Sequence, residues 1–147
     1  MKWAKGAFTL IEMVFVIVVL GILASIAVSK MAVTRDDAII TKGRSQVAAI
    51  RNAIALAKSM NMMQGKASLF PDTLDKDAGK LFDKAHDGTK LLDYPVYDKI
   101  ADGYWHKLQK NVYAFYYQRK PISFKYDPNT GIFDCNHKDT VCKLLTE

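Results

Sequence analysis

Phe8–Ser29 read FTLIEMVFVIVVLGILASIAVS, the longest apolar run in the 147-residue chain. Glu12 carries the only charge in this run. About 20 apolar residues in an α-helix, at about 1.5 Å each, cross a bilayer core of about 30 Å. Residues 8–29 are therefore predicted to form a membrane-spanning helix.

Glu12 lies near the start of this run, where a carboxylate is costly. On insertion scales a charged residue costs roughly 2.5–3.5 kcal/mol at a helix centre and less near the helix end. An acid inside a membrane therefore indicates a functional residue with a partner of opposite charge. The preceding segment MKWAKGA, residues 1–7, suggests that partner, because its removal would create a free amine at nearly the depth of Glu12.

Residues 1–7 carry two lysines, Lys2 and Lys5, and lysines before an apolar run hold the amino terminus on the cytoplasmic side. Two alternatives remain open for the run itself. An ordinary secretory signal would be cut within residues 25–29, although its apolar region should be only about 7–15 residues long. A plain signal anchor would leave the Glu12 side chain reaching towards the membrane interface.

The segment Gly6–Met13, GAFTLIEM, followed by Gly21, closely resembles the amino-terminal signature of type IV pilins and of type II secretion pseudopilins. The resemblance covers the leader and the apolar run and says little about the rest of the chain. It implies that a prepilin peptidase at the cytoplasmic membrane face cuts after Ala7 and methylates the new amino terminus, Phe8. It also implies that Glu12 is the glutamate that directs assembly.

Two features depart from that signature. The family usually has Gly directly before the cut, whereas here Ala7 stands there and Gly6 is one residue earlier. The peptidase either accepts Ala7 or cuts after Gly6, and we prefer the first because it keeps Glu12 in register. Many members carry a Pro near the end of the membrane helix, where this chain has Ser29. Without that Pro the helix is expected to bend less sharply.

Assembly would explain why an acid is retained in the apolar run. Two copies shifted along their helix axes would place Glu12 of one subunit against the Phe8 amine of its neighbour. Pairing in a low dielectric offsets the cost of burying each charge, whereas either charge alone is strongly unfavourable. A contact of this kind that does not close into a ring generates a helical filament. The expected partners are further copies of the chain and other pilin-like subunits.

Length and charge agree with a small membrane-anchored protein. The chain has room for one membrane helix and one domain of modest size. Its formal net charge is +6, and removing residues 1–7, with two lysines and no acids, lowers it to +4. The lysines are scattered, so this charge alone does not indicate a nucleic-acid-binding protein.

Residues 30–64 are predicted to continue the helix as an amphipathic segment, which the resemblance places in the periplasm. No Pro interrupts it, and Gly65 is suited to end it in a left-handed conformation. Apolar positions recur at steps of three and four residues: Ile40, Gly43, Val47, Ile50, Ile54 and Ala57. Charged residues lie mostly off this stripe, as on a solvated face: Lys42, Arg44 and Arg51.

Residues 65–147 are predicted to form a variable loop region followed by a small sheet. Within the loop region, Asp75–Ala85 is predicted to be a short helix. The pair Tyr104 and Trp105 is expected to pack over the apolar stripe of the long helix. In proteins of the resembled family, this region is where subunit contacts tend to lie.

The carboxy-terminal part is predicted to be an antiparallel meander of about three strands. Residues 111–118 are rich in aromatic side chains, and residues 122–126 alternate between apolar and polar. The turn signal DPNTG at Asp127–Gly131 leads into a return strand. The predicted fold class is α+β: a long amino-terminal helix, transmembrane in its first half and amphipathic in its second, packed on a small antiparallel sheet.

Cys135 and Cys142 are the only cysteines. A disulfide between them is expected, because the resemblance places the domain in the oxidising periplasm. Zinc is the alternative, since His137 lies between them, but three ligands without a fourth make a poor zinc site. Calcium is a separate weak alternative, which the resemblance to major pseudopilins allows, and otherwise no cofactor is expected. Its candidate ligands are Asp127, Asp134 and Asp139.

The chain shows no recognisable catalytic motif, so a structural subunit is expected rather than an enzyme. The resemblance implies a pilin-like subunit of the inner membrane, with a cytoplasmic amino terminus and a periplasmic carboxy-terminal domain. Between the branches of the family, the compact predicted helix and small sheet favour a type II secretion pseudopilin. A membrane platform and its ATPase would assemble it into a filament. The alternatives are a type IV pilus or DNA-uptake pilin, with DNA as a partner, and an anchored or secreted periplasmic binding protein or enzyme.

Overall fold

The computed structural model describes residues 9–147, apart from the side chains of residues 29–33. The predicted leader and Phe8 lie outside the described residues. The chain divides into two compact units, with the boundary between Arg35 and Asp36. Helix α1, Leu10–Met63, contributes to both units. In the first unit the described residues belong almost entirely to the apolar part of α1.

Helix α1 ends in hydrogen bonds that depend on a glycine. Gly65 has a φ of +64°, the left-handed conformation that a residue with a side chain rarely adopts. Its amide donates to the Met62 carbonyl at 3.1 Å, and the Lys66 amide donates to the Asn61 carbonyl at 3.0 Å. These two bonds form a Schellman motif, which satisfies carbonyls left free at the helix end. The predicted stop at Gly65 is confirmed.

The second unit contains two antiparallel sheets and a short helix. The smaller sheet pairs β1, Lys80–Leu81, with β2, Val96–Tyr97. The larger sheet has the order β3-β4-β5-β6, so each strand pairs with the next strand in the chain. Its strands are β3 Trp105–Gln109, β4 Val112–Tyr117, β5 Lys120–Asp127 and β6 Ile132–Cys135, and α2 Thr140–Thr146 follows them. The predicted α+β class is confirmed.

The apolar stripe of α1 is buried in the core of the second unit, as predicted. Val47, Ile50 and Ile54 are each at most 2% exposed. Trp105 lies among aromatic side chains, with ring centroids at most 5.4 Å from those of Phe82, Phe115 and Phe124. The Trp105 indole Nε1 donates to Gln46 Oε1 on α1 at 3.1 Å. The prediction is therefore confirmed for Trp105, whereas Tyr104 is 36% exposed and its ring centroid lies 4.4 Å from Lys42 Nζ.

Gly43 lies where α1 approaches its neighbours most closely. A Cβ atom at this position would lie 2.6 Å from Leu145 Cδ2 on α2 and 2.7 Å from Phe115 Cζ on β4. Real Cβ atoms do not approach other heavy atoms so closely. A glycine at this position of the stripe therefore allows α1, α2 and the sheet to pack together.

The charged residues beside the stripe do more than face solvent. Lys42 Nζ donates to the Gly103 carbonyl at 2.8 Å, and Arg44 Nε donates to the Leu144 carbonyl at 2.9 Å. Arg51 donates through Nε to the Phe133 carbonyl at 3.0 Å. Lys42 and Arg44 are exposed, as expected of a solvated face, and Arg51 is partly exposed. All three side chains also tie α1 to backbone carbonyls of the second unit.

The predicted helix at Asp75–Ala85 is also wrong. This segment contains β1 and a turn at Gly79, whose φ is +80°. The Asp75 carboxylate accepts hydrogen bonds from the Tyr113 hydroxyl and the Lys107 ammonium group, which fix the segment on the sheet. Burial and then the bond to Asp75 raise the pKa of Tyr113 well above its ordinary value.

Two elements have no counterpart in the sequence prediction. The sequence of β3, WHKLQ, lacks a regular alternation of apolar and polar residues and predicts only an aromatic cluster. α2 has only seven residues, too short for a helical period to be recognised. Asp139 caps it by accepting from the Val141 amide at 2.8 Å. Because the sequence does not predict β3, the larger sheet has four strands where the sequence predicts about three.

Phe82 directly follows β1 and combines two opposing requirements. Its backbone has a φ of +58°, which is unfavourable for a bulky side chain. Its ring is fully buried and contacts the rings of Trp105, Tyr113 and Phe133. Aromatic packing in the core therefore holds the backbone in a conformation that the residue would otherwise avoid.

Gly43→Ala is expected to destabilise the second unit by about 1–2 kcal/mol. Overpacking a core typically costs about 1–3 kcal/mol, and the higher helix propensity of Ala returns up to about 1 kcal/mol. Thermal unfolding of the full chain in detergent, followed by near-ultraviolet circular dichroism, measures the change. Ser45→Ala, at an exposed position on the same helix, is the matched control. A Gly43→Ala chain that is as stable as this control would contradict the close approach.

Candidate assembly site and disulfide-bonded loop

The apolar part of α1 has no covering partner within the described residues. Leu10–Val28, 19 residues, is by length and composition able to cross a membrane, and none of this span is buried. The exposed side chains include bulky ones such as Ile11, 74% exposed, and Phe15, 69% exposed. An exposed apolar surface of this size requires lipid or other protein chains around it.

Thr9 caps the amino-terminal end of α1. Its Oγ1 accepts a hydrogen bond from the Glu12 amide at 3.3 Å, and its carbonyl accepts from the Met13 amide at 3.2 Å. Thr followed three residues later by Glu is the spacing of a capping box, a local signal that could have located this helix start from the sequence. The cap places Glu12 in the first helical turn, where the positive end of the helix dipole favours an anion.

Glu12 is exposed in the described structure. Among the side chains that the structure describes, none of the ion pairs involves its carboxylate. The oppositely charged partner expected from the sequence is therefore not among these side chains. The predicted processing residues Gly6, Ala7 and Phe8 lie outside the described residues, so the position of the cut stays a prediction.

A disulfide joins Cys135 to Cys142 and closes the loop between β6 and α2. Cys142 is fully buried, and Leu145, one turn later on α2, packs in the same core. The bond therefore connects the edge strand of the sheet to the helix that follows it. Together with the contact of Arg44 at the Leu144 carbonyl, it holds α2 against the rest of the second unit.

The carboxylates proposed from the sequence as calcium ligands each have partners within the protein. Asp127 accepts from the Asn129 amide at 2.9 Å and the Thr130 hydroxyl at 3.1 Å, which lower the pKa of this carboxyl. Asp139 caps α2. Asp134 pairs with Arg51, whose guanidinium nitrogen lies 2.9 Å from Asp134 Oδ1. Each carboxylate thus has a structural role of its own.

Asp134 also lies close to the three residues that the sequence suggests as zinc ligands. His137 Nε2 is 3.0 Å from both Asp134 carboxylate oxygens. The ligand atoms of Asp134, His137 and Cys142 all lie within 4.8 Å of one another. Asp134 directly precedes Cys135 in the sequence. This adjacency is the one signal that could have identified Asp134 as a fourth candidate zinc ligand beside the two cysteines and His137.

Comparison with known proteins bears on the amino-terminal segment. Residues 4–28 match the prokaryotic N-terminal methylation motif, a region that includes Glu12 and most of the apolar run. No curated protein and no solved structure matches the chain. Within the matched residues, the structure shows an exposed apolar helix with Glu12 in its first turn. The chain thus carries the prepilin-type signature of type IV pilin-like proteins.

Proposed function

We propose that the chain is a structural subunit of a type IV pilin-like filament, and specifically a pseudopilin of a type II secretion system. One observation carries this proposal. The methylation motif overlaps the exposed apolar span Leu10–Val28, whose single charged residue, Glu12, has no ion-pair partner among the described side chains. A filament of staggered copies would cover the apolar surface and pair the charge at the same time.

The pairing requires a cation at the depth of Glu12. Cleavage after Ala7 would make Phe8 the first mature residue, and its methylated amine would still carry a positive charge. In a helix bundle shifted along its axis, the Phe8 amine of one subunit would lie against Glu12 of the next. A charge left without its partner in this environment would cost about 3–5 kcal/mol. The ion pair would thus fix one axial register between neighbouring helices, whereas contacts between apolar surfaces alone would allow many.

The same arrangement defines the expected partners. A prepilin peptidase would remove residues 1–7 at the cytoplasmic face, where Lys2 and Lys5 hold the amino terminus. A membrane platform and its ATPase would then extract the subunit from the lipid and add it to the filament. The second unit would lie in the periplasm, where a disulfide such as Cys135–Cys142 forms and persists.

The small size of the second unit favours a pseudopilin over the other branches of the family. It consists of the later part of α1, a two-stranded sheet, a four-stranded meander and a short helix. The sheets and the short helix pack mainly on α1. A structural role without catalysis is therefore our proposal, with other pilin-like subunits as the principal partners.

The mature chain is expected to start at Phe8 and to carry one methyl group on its amine. Intact-mass and peptide mass spectrometry of the protein from membranes of cells with a prepilin peptidase measures both features. The matched control is the same gene expressed without the peptidase, which should retain residues 1–7. A mature start within residues 25–30, or an uncut leader in the presence of the peptidase, would refute the pilin-like assignment and favour an ordinary signal segment.

Glu12→Ala is expected to leave cleavage largely intact and to reduce filament yield by at least tenfold. The reason is that each subunit would then bury an amine without its carboxylate, a loss of several kcal/mol. Filaments sheared from cells and quantified by immunoblot measure assembly, while the mobility of the mature band measures processing. Asp93→Ala, at an acid whose side chain is 92% exposed, is the matched control. Normal filament yield from Glu12→Ala would argue against the charge pairing.

A type IV pilus or DNA-uptake pilin is the second candidate. It shares the amino-terminal physics, and the formal net charge of +4 without the leader is compatible with weak attraction to a polyanion. DNA would then be a partner of the assembled filament. Contacts between lysines and phosphates would make this binding strongly dependent on salt.

Deletion of the gene separates these candidates. For a pseudopilin, we expect a secreted protein to accumulate in the periplasm, and we expect the full chain in detergent to bind DNA only weakly. For an uptake pilin, we expect secretion to be normal and DNA uptake to be lost. Fluorescence anisotropy with labelled DNA at two salt concentrations supplies the binding measurement. Normal secretion together with tight, salt-sensitive DNA binding would overturn the pseudopilin proposal and support the second candidate.

A further inference from the structure

The loop between β6 and α2 brings the ligand atoms of Asp134, His137 and Cys142 together, and a disulfide joins Cys142 to Cys135. Cys135 is the last residue of β6, and Cys142 lies in the first turn of α2. Asp134 directly precedes Cys135, and His137 belongs to the connecting loop. Because the two sulfur atoms are bonded to each other, the 4.8 Å cluster of Asp134, His137 and Cys142 also lies beside the Cys135 sulfur.

We propose that these four residues form a zinc(II) site when the disulfide is reduced to two thiols. Structural zinc takes four ligands in a tetrahedron, with sulfur at about 2.3 Å and nitrogen or oxygen at about 2.0–2.2 Å. These bond lengths put neighbouring ligand atoms about 3.3–3.8 Å apart. The separations of at most 4.8 Å among the ligand atoms of Asp134, His137 and Cys142 therefore need to shorten by at most about 1–1.5 Å. The two sulfur atoms, 2.01 Å apart in the disulfide, need to separate by about 1.8 Å once the bond is broken.

The nitrogen and oxygen ligands are already directed at each other. His137 Nε2 lies 3.0 Å from both oxygens of Asp134. The loop is held in a turn, because the Asn136 carbonyl accepts from the Asp139 amide at 2.9 Å and its side chain accepts from the Lys138 amide at 3.1 Å. A zinc ion between Asp134 and His137 would replace their direct contact with two ligand bonds.

The charges around the cluster also suit a divalent ion. Two thiolates and one carboxylate with Zn²⁺ leave one net negative charge, and the Arg51 guanidinium lies 2.9 Å from Asp134 Oδ1. Arg51 would balance that charge and orient the carboxylate from outside the ligand set. A thiolate at the fully buried Cys142 would be costly by itself, and zinc supplies the compensating charge. Thiolate and imidazole donors together favour zinc over calcium or magnesium.

Reduction and metal binding follow one another in a balanced exchange. A dithiol donor passes two electrons and two protons to the Cys135–Cys142 bond, which breaks into two thiols, and the donor becomes a disulfide. Zinc then displaces the two thiol protons into solvent, while His137 binds in its neutral form. In the disulfide form only Asp134 and His137 could bind the ion, so the covalent link and the metal exclude each other. The zinc-bound loop would also resist reoxidation, because both sulfur atoms are engaged.

Cobalt(II), which reports thiolate ligation by its absorption, is the probe for this site. The full chain in detergent is titrated with cobalt after reduction by a phosphine, and zinc is then added to displace it. We expect one cobalt per chain, with a thiolate-to-metal charge-transfer band and the strong visible bands of a tetrahedral site. The disulfide-bonded chain is expected to show neither. Circular dichroism before metal addition reports whether reduction has disturbed the fold.

Variants separate the four ligands from neighbouring groups. His137→Ala and Asp134→Asn are expected to weaken zinc binding by more than about 100-fold, beyond the effect of losing an outer-shell partner. Replacing both cysteines by serine should abolish the charge-transfer band. His86→Ala, at another exposed histidine of the second unit, is the matched control and should bind zinc as the wild type does.

Four results would overturn the proposal. The first is a reduced wild-type chain without the thiolate band. The second is equal zinc affinity in the reduced and the disulfide-bonded chain. The third is wild-type affinity in His137→Ala and Asp134→Asn. Should reduction unfold α2, zinc addition is expected to restore the circular dichroism spectrum of the reduced chain, and a failure to do so would equally refute the site.

Discussion

The second unit depends on the contact between one face of α1 and the aromatic cluster around Trp105. The stripe from Val47 to Ile54 supplies the aliphatic half of this contact, and burial of such side chains is the main source of stability in a small domain. Gly43 sets how closely the two halves approach. Arg44 and Arg51 then fasten α2 and β6 to the same helix through backbone carbonyls.

The apolar surface of α1 is buried in the later part of the helix and exposed in the earlier part. Its later part finds partners within the chain, whereas the described part of its earlier segment, with Glu12 in the first turn, has an uncovered apolar surface. This asymmetry gives the protein its proposed function, because a surface that the chain cannot cover must be covered by lipid or by other subunits. The second unit buries its core among its own elements.

The sequence alone predicts those features that depend on local periodicity or on special residues. The apolar run, the stripe of α1, the stop at Gly65 and the turn before β6 belong to this group. The helix predicted at Asp75–Ala85 is wrong, because contacts of Asp75 with distant residues of the sheet outweigh local propensity. The cluster of Asp134 and His137 with the cysteines is only partly predictable, since the proximity of Arg51 and the path of the loop are set by tertiary packing. Glu12 stands out by its unusual surroundings in the sequence, but its partner cannot be derived from a single chain.

Phe82 shows the backbone strain that aromatic packing in the core can impose. At this position the backbone torsion would suit glycine, whereas the surrounding rings need an aromatic group of full size. No single amino acid both favours this backbone torsion and fills the space among the rings. A substitution that relieves the backbone strain therefore loses the aromatic packing. A designer seeking a more heat-resistant version of the domain would therefore have to rebuild the turn around residue 82, moving the main chain into a relaxed region while leaving the ring where it stands.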